Sequence, residues 1–335
     1  MAVLLVFILA AGIALMAKGG DVFVDGAARL AGALKAPQLL IGATVVAVGT
    51  TVPELLTSLT AMIKGVRAQN AQQMQEFTDV AVGNAVGSMV CNIGLILALS
   101  FVLRPYAAGG RTFAVKGLFL LAVTAAVGIF AVTGGGISVG EGVALLAFFA
   151  LFLLINVKEA ARGENKRGAP LWQGENFAPA GQKAEKKRLA GMVAAVCFGA
   201  LTVAAGALFT VESVSRLCTL LQVPARVVSV TVVALGTSLP ELVTAVTSAR
   251  KGTGEMSLGN ILGANVINGT LLLGLSSLIS GGLTIDPVTR RYTLWFALAL
   301  TAALVFPVLA FRRTSRLQGA ALGALYVAAI VLSVT

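Results

Sequence analysis

The chain has 335 residues, 57% of them hydrophobic and 12% charged, with a formal net charge of +11 and no histidine. Such a composition belongs to a membrane protein, so loop charge that sets orientation explains the positive balance more economically than nucleic-acid binding does. The lack of histidine removes the commonest proton shuttle, catalytic base and transition-metal ligand.

Ten apolar runs have roughly the length needed to cross a bilayer as helices. Helix 1, Ala2 to Met16, lacks a basic leader and a clear cleavage site and reads as a retained helix rather than a signal peptide. Asp21 to Lys35 follows, with apolar positions at helical spacing and charges opposite, the pattern of a short interfacial helix. Helices 2 to 5 are expected at Leu39 to Ile63, Val80 to Leu103, Thr112 to Val132 and Val139 to Val157, with a tight external turn at Gly134, Gly135 and Gly136. The polar segment Lys158 to Arg188 lacks an apolar core pattern and reads as a solvated linker. Helix 6 is expected at Leu189 to Phe209, followed by a second interfacial segment, Ser213 to Val223. Helices 7 to 10 follow at Val227 to Ala249, Met256 to Ile279, Tyr292 to Phe311 and Leu317 to Ser333, with a turn at Gly281 and Gly282. Cys91, Cys197 and Cys218 have no ligand spacing and read as small packing residues.

The loops after the odd-numbered helices hold 19 Lys and Arg and those after the even-numbered ones hold six. By the positive-inside rule the odd-numbered loops and the linker face the cytoplasm and both termini lie outside.

Pro37 to Gly65 aligns with Pro224 to Gly252, with 14 of the 29 positions identical, and Gly83 to Asn92 aligns with Gly259 to Asn268. The chain is therefore a duplication. Residues 1–157 form one half, containing a repeat at 37–101; residues 158–188 join it to a second half, 189–335, containing a repeat at 224–279. Because each half has five helices, the second must enter the membrane from the opposite side, as in transporters that bind their substrate at the midplane between inverted repeats. The expected fold class is an all-α polytopic membrane protein of ten helices, with an ion site among helices 2, 3, 7 and 8.

The duplicated motif reads Gly49-Thr50-Thr51-Val52-Pro53-Glu54 in the first half and Gly236-Thr237-Ser238-Leu239-Pro240-Glu241 in the second. Each proline lacks an N–H, so the carbonyls of Gly49 and Gly236 lose their helical partners and the helices are expected to open there. In hydrocarbon such carbonyls persist only where protein, water or an ion satisfies them. With the hydroxyls of Thr50, Thr51, Thr237 and Ser238 and the carboxylates of Glu54 and Glu241, the oxygens form a hard donor set suited to Ca2+ or Na+. A carboxylate deep in the bilayer costs roughly 3 kcal/mol or more, which marks both glutamates as functional. Ser88 and Asn92 share a face of helix 3, with Ala264 and Asn268 at the matching places of helix 8. Gly83, Gly87, Gly259 and Gly263 are spaced for close helix packing.

The paired motifs resemble the two alpha-repeats of the calcium/cation antiporter superfamily, and most closely those of prokaryotic sodium/calcium exchangers. The resemblance implies that helices 2, 3, 7 and 8 surround the ions while helices 1 and 6 slide across them. It implies calcium binding by Glu54 and Glu241 with help from Thr50 and Thr237. The flanking sodium sites would use the carbonyls of Ala47 and Ala234 and the hydroxyls of Thr51, Ser88 and Ser238, and Asn92 and Asn268 would line the centre. Three positions depart from the family's pattern. Ala264 stands where a serine is frequent, Asn268 where some prokaryotic members have aspartate, and Met89 where asparagine usually follows Gly-Ser.

The expected function is secondary antiport of Ca2+ against Na+ in a bacterial or archaeal inner membrane. The partners are the transported ions and lipid, with no bound cofactor and no nucleic acid, and a monomer is expected. A Ca2+/H+ or K+-dependent exchanger of the same fold is the alternative. An intramembrane hydrolase lacks its histidine, Ser-Lys or paired-Asp machinery, and a passive channel does not need two broken helices in inverted halves.

Overall fold

The computed structural model describes residues 2–34, 36–161, 182–220 and 234–334. The protein is almost entirely helical. Its helices are α1 (Ala2–Ala33), α2 (Gln38–Val66), α3 (Ala71–Leu103), α4 (Gly110–Gly134), α5 (Val139–Ala161), α6 (Gln182–Leu220), α7 (in two pieces, Ala234–Thr237 and Leu239–Lys251), α8 (Gly254–Ser280), α9 (Thr289–Phe311) and α10 (Arg316–Val334). Among the described residues eight helices are long and apolar enough to cross a membrane, and α10 contains a shorter apolar stretch, Arg316–Leu332. The first part of helix 7 and most of the linker lie outside the described residues.

The chain divides into two compact units, residues 1–50 with 156–260 and residues 51–155 with 261–335. In the first, α1 packs along α6. Gly12, Gly19 and Gly26 recur every seven residues on α1, and a Cβ on each would meet Thr210, Thr202 or Val196 on α6 within 3.1 Å. A Cβ at Gly199 would lie 2.6 Å from the backbone nitrogen of Phe23, so the two backbones can approach this closely only through glycine. Phe23, Val24, Ala27, Ala28 and Ala31 continue this buried face and pack with Ile41, Val46, Val196 and Met256.

The separate interfacial helix expected at Asp21 to Lys35 is instead the second half of α1. No proline interrupts Lys18 to Asp21, and the apolar face that suggested an interface is buried against protein. At 32 residues α1 is about 48 Å long, well beyond the hydrocarbon thickness. The same holds after helix 6, where α6 runs without a break to Leu220; residues 221–223 of the expected segment lie outside the described residues. Lys251, in the last turn of α7, meets Asp21 at 3.3 Å and Asp25 at 2.7 Å.

In the second unit Val82, Ala85 and Val86 of α3 form a core with Val127, Leu145, Leu272 and Leu294. The two glycine turns meet there as a two-residue antiparallel ladder, β1 (Gly136–Ile137) with β2 (Leu283–Thr284). Gly135 and Gly281 take left-handed backbone angles, φ 72° and 73°, which favour glycine. Pro307 lies within α9 and deprives the carbonyl of Ala303 of its helical donor. The Gln318 amide on α10 donates to that carbonyl at 3.0 Å.

The expected break at Pro53 is absent. The helix runs from Ala47 through Val66 with the proline inside it, and the irregularity falls upstream, in a π-helical turn at Gly42–Val46. In the second copy the helix does break. Ser238 (φ −89°, ψ 5°) separates the pieces of α7, and Pro240 sits in the first turn of the second piece, where a missing N–H breaks no helical bond. One motif thus has two local solutions. A mid-helix proline removes one hydrogen bond without forcing a break, whereas a proline at a helix start removes none.

Candidate functional site

The sequence-predicted oxygens divide between the units. Ala47, Thr50, Ala234, Thr237, Ser238 and Glu241 belong to the first, and Thr51, Glu54, Ser88, Asn92 and Asn268 to the second. Both glutamates are fully buried, as are Thr51 and the two asparagines, while Thr50, Ser88 and Ser238 are at most 2% exposed. Thr237 is half-buried, and Ala234 enters the picture only through its backbone in α7.

In the first unit a polar chain ties the motif to the next helix. Thr50 Oγ1 lies 3.1 Å from Asn260 Oδ1 and 3.4 Å from the Ala47 carbonyl, so its single proton serves either acceptor. Asn260 Nδ2 donates to Thr244 Oγ1 at 3.1 Å, and Thr244 donates to the main-chain carbonyl of Glu241 at 3.0 Å. Gly42 and Gly259 bring α2 and α8 together here: a Cβ at Gly259 would lie 2.2 Å from the Leu39 carbonyl oxygen. The close packing expected of the glycines is therefore present at Gly259. Among the described residues nothing lies within 4 Å of a Cβ at Gly83 or Gly87.

The second unit repeats the arrangement with different side chains. Asn84 Nδ2 donates to the main-chain carbonyl of Glu54 at 3.2 Å and to Ser58 Oγ at 2.9 Å, and Ser58 donates to the Ala81 carbonyl at 3.4 Å. Asn84 and Asn260 are repeat mates, each following a glycine of the duplicated helix 3/helix 8 motif. Each fixes the backbone beside a motif glutamate, directly at Glu54 and through Thr244 at Glu241. Further along, Asn92 Nδ2 donates to Asn265 Oδ1 at 2.9 Å, and Asn265 Nδ2 donates to the Met89 carbonyl at 3.1 Å.

Both copies of this helix become π-helical at the same place, Asn92–Leu97 in α3 and Asn268–Leu272 in α8. A π turn inside an α-helix is frequently found at functional sites. Asn92 Oδ1 and both side-chain polar atoms of Asn268 are buried with no hydrogen-bond partner among the described residues. Desolvating such atoms costs about 1–3 kcal/mol each unless something polar or charged meets them. Carboxamide oxygens are hard donors of the kind that take Ca2+ or Na+.

Sequence reasoning missed Asn84, Asn260, Asn265, Ser58 and Thr244. The signal for the first two was present, since both stand in the duplicated Gly-Asn pair. Asn265 has no match in the other half, where Met89 stands, and its signal lay instead in the family pattern, which places asparagine at that position.

The sodium/calcium exchanger protein family model matches residues 4–158 and 191–335. The chain is 32% identical over 310 residues to the inner membrane protein YrbG of Escherichia coli, covering 92% of this chain and 89% of that one. It is 29% identical over 354 residues to the sodium/calcium exchanger MaX1 of Methanosarcina acetivorans, covering 97% of each. Solved structures of the sodium-calcium exchanger NCX_Mj are also similar. The form soaked with 2.5 mM Na+ and 10 mM Sr2+ gives a TM-score of 0.80 at 27% identity over 99% of both chains. The form soaked with 2.5 mM Na+ and 0.1 mM Ca2+ gives 0.80 at 28% over the same shares. On its sequence, its helices and its duplicated buried carboxylates, the chain belongs to the sodium/calcium exchanger protein family.

Proposed function

We propose that this protein is a secondary active antiporter that exchanges Ca2+ for Na+ across the cell membrane by alternating access. The observation that carries the reading is the complete burial of Glu54 and Glu241, each beside a backbone carbonyl held by an amide or hydroxyl of the site. A buried carboxylate is expensive unless its charge is compensated, and a cation compensates it.

In this reading the carboxylates of Glu54 and Glu241 ligate calcium, assisted by Thr50 and Thr237, with Asn92 and Asn268 lining the centre. Sodium ions use the carbonyls of Ala47 and Ala234 and the hydroxyls of Thr51, Ser88 and Ser238. Residues 1–157 and 189–335 form inverted repeats, the linker 158–188 is cytoplasmic and both termini lie outside, as the loop charges favour. The site changes sides only when one Ca2+ or several Na+ neutralise its acids, because a bare site would carry negative charge against apolar surroundings. If three Na+ exchange for one Ca2+, each cycle moves one net charge, worth roughly 2.3 kcal/mol per 100 mV.

One observation favours a second reading, Ca2+/H+ or K+-dependent exchange. Buried Ala264 occupies the repeat position of Ser88, so one sodium site lacks a hydroxyl. Calcium-45 uptake into proteoliposomes with sodium, potassium and pH gradients imposed one at a time separates the two. Uptake that follows the sodium gradient alone is the expected result, and uptake driven equally well by a pH gradient without sodium would overturn it.

A further inference from the structure

We propose that Asn265 is the positioning residue that turns the carboxamide oxygen of Asn92 toward the transported cation, and that Met89 leaves the matching residue, Asn268, without such a clamp. The inference rests on the exchanger reading above and adds to it which asparagine is oriented and why. All four residues belong to the second unit.

The orientation follows from donor and acceptor chemistry alone. The Met89 main-chain carbonyl can only accept, so the end of Asn265 that faces it at 3.1 Å must be the amide nitrogen. That leaves Asn265 Oδ1 to face Asn92, so the end of Asn92 lying 2.9 Å away must also be its nitrogen. One orientation of Asn92 remains, and it points Oδ1 away from Asn265. That oxygen is buried and has no hydrogen-bond partner among the described residues. An oxygen with a fixed direction, desolvated in advance, is an efficient ligand for a hard cation.

The duplication shows what the other copy lacks. In the register of Gly83 to Asn92 with Gly259 to Asn268, Asn92 matches Asn268 and Asn265 matches Met89. The residue that would hold Asn268 is therefore a thioether, which packs against Gly269 beside it and donates no hydrogen bond. Asn268 is fully buried, and neither end of its amide has a partner among the described residues. It can present nitrogen as readily as oxygen, and only the oxygen binds a cation. The site has one oriented carboxamide and one unoriented one.

The test is equilibrium calcium-45 binding to the purified full chain in detergent, with sodium as competitor and the melting temperature measured in parallel. Loss of an orienting partner typically costs ten- to hundredfold in metal affinity. Asn265→Met is expected to weaken Ca2+ binding by about that range and, because it leaves the buried Asn92 amide nitrogen unpaired, to lower the melting temperature as well. Met89→Asn is expected to tighten it, and the exchanged pair Asn265→Met with Met89→Asn to recover most of what Asn265→Met loses, by moving the clamp to Asn268. A purely structural role for Asn265 would not produce this rescue. Binding by Asn265→Met equal to the parent, or an exchanged pair no better than Asn265→Met alone, overturns the inference and leaves the exchanger reading standing. A parent protein that binds no Ca2+ sinks both. If Asn265→Met does not fold, Met89→Asn decides alone: tighter binding supports the clamp and unchanged binding refutes it.

Discussion

The carboxamide of Asn84 donates to the main-chain carbonyl of Glu54 at 3.2 Å and to the hydroxyl of Ser58 at 2.9 Å. Glu54 lies one residue after Pro53, in a helix that has already lost a hydrogen bond to that proline. The carbonyl that Pro53 frees is that of Gly49, so the Asn84 amide on the neighbouring helix is a separate donor that holds the backbone beside the buried acid. Asn84→Ala removes it and leaves two buried acceptors underused, at about 1–3 kcal/mol. Exchange measured by calcium-45 uptake should fall roughly tenfold, as expected for loss of a positioning partner. Unchanged uptake at an unchanged melting temperature would show that Asn84 does not position Glu54.

Gly199 on α6 meets the backbone of Phe23 on α1. Gly199→Leu must separate the two helices and should cost about 1–3 kcal/mol through overpacking. Gly191→Leu on the same helix is the control, because nothing lies within 4 Å of a Cβ there among the described residues. Thermal unfolding in detergent should show a lower melting temperature for the first and none for the second. Equal effects would mean that the close approach of α1 and α6 is not what constrains them.

Gln318 on α10 supplies the amide that Pro307 denies to the Ala303 carbonyl. Gln318→Leu should destabilise the protein by about 1–3 kcal/mol, the desolvation cost of a buried unpaired acceptor. Adding Pro307→Ala restores an N–H and should recover most of the loss. Failure of the second substitution to rescue the first would break the link between the two residues.

Much of this was legible in the sequence, for physical reasons. Membrane helices announce themselves by length and hydrophobicity, and Glu54 and Glu241 stood out because carboxylates in such runs are costly. The continuity of α1 was not legible. The same pattern of Phe23, Val24, Ala27 and Ala31 fits a headgroup interface or a buried helix face, and only the partner, here α6, decides between them. The contrast between Pro53 and Pro240 was also hidden, because a proline's effect depends on whether it falls inside a helix or at its start. The glycines at 12, 19 and 26 formed a readable seven-residue period that composition masked among 38 glycines. The carboxamide contacts of Asn84, Asn260 and Asn265 depend on which helix turns face each other, and no local pattern carries that.

The most direct test of the account replaces each buried acid by its neutral isostere. Glu54→Gln and Glu241→Gln keep shape and remove one charge, so each alone should reduce sodium-driven calcium-45 exchange in proteoliposomes to near background while the protein still reconstitutes. Exchange at the parent's rate in either variant would mean that the substituted acid does not hold the transported ion, and the account would be wrong.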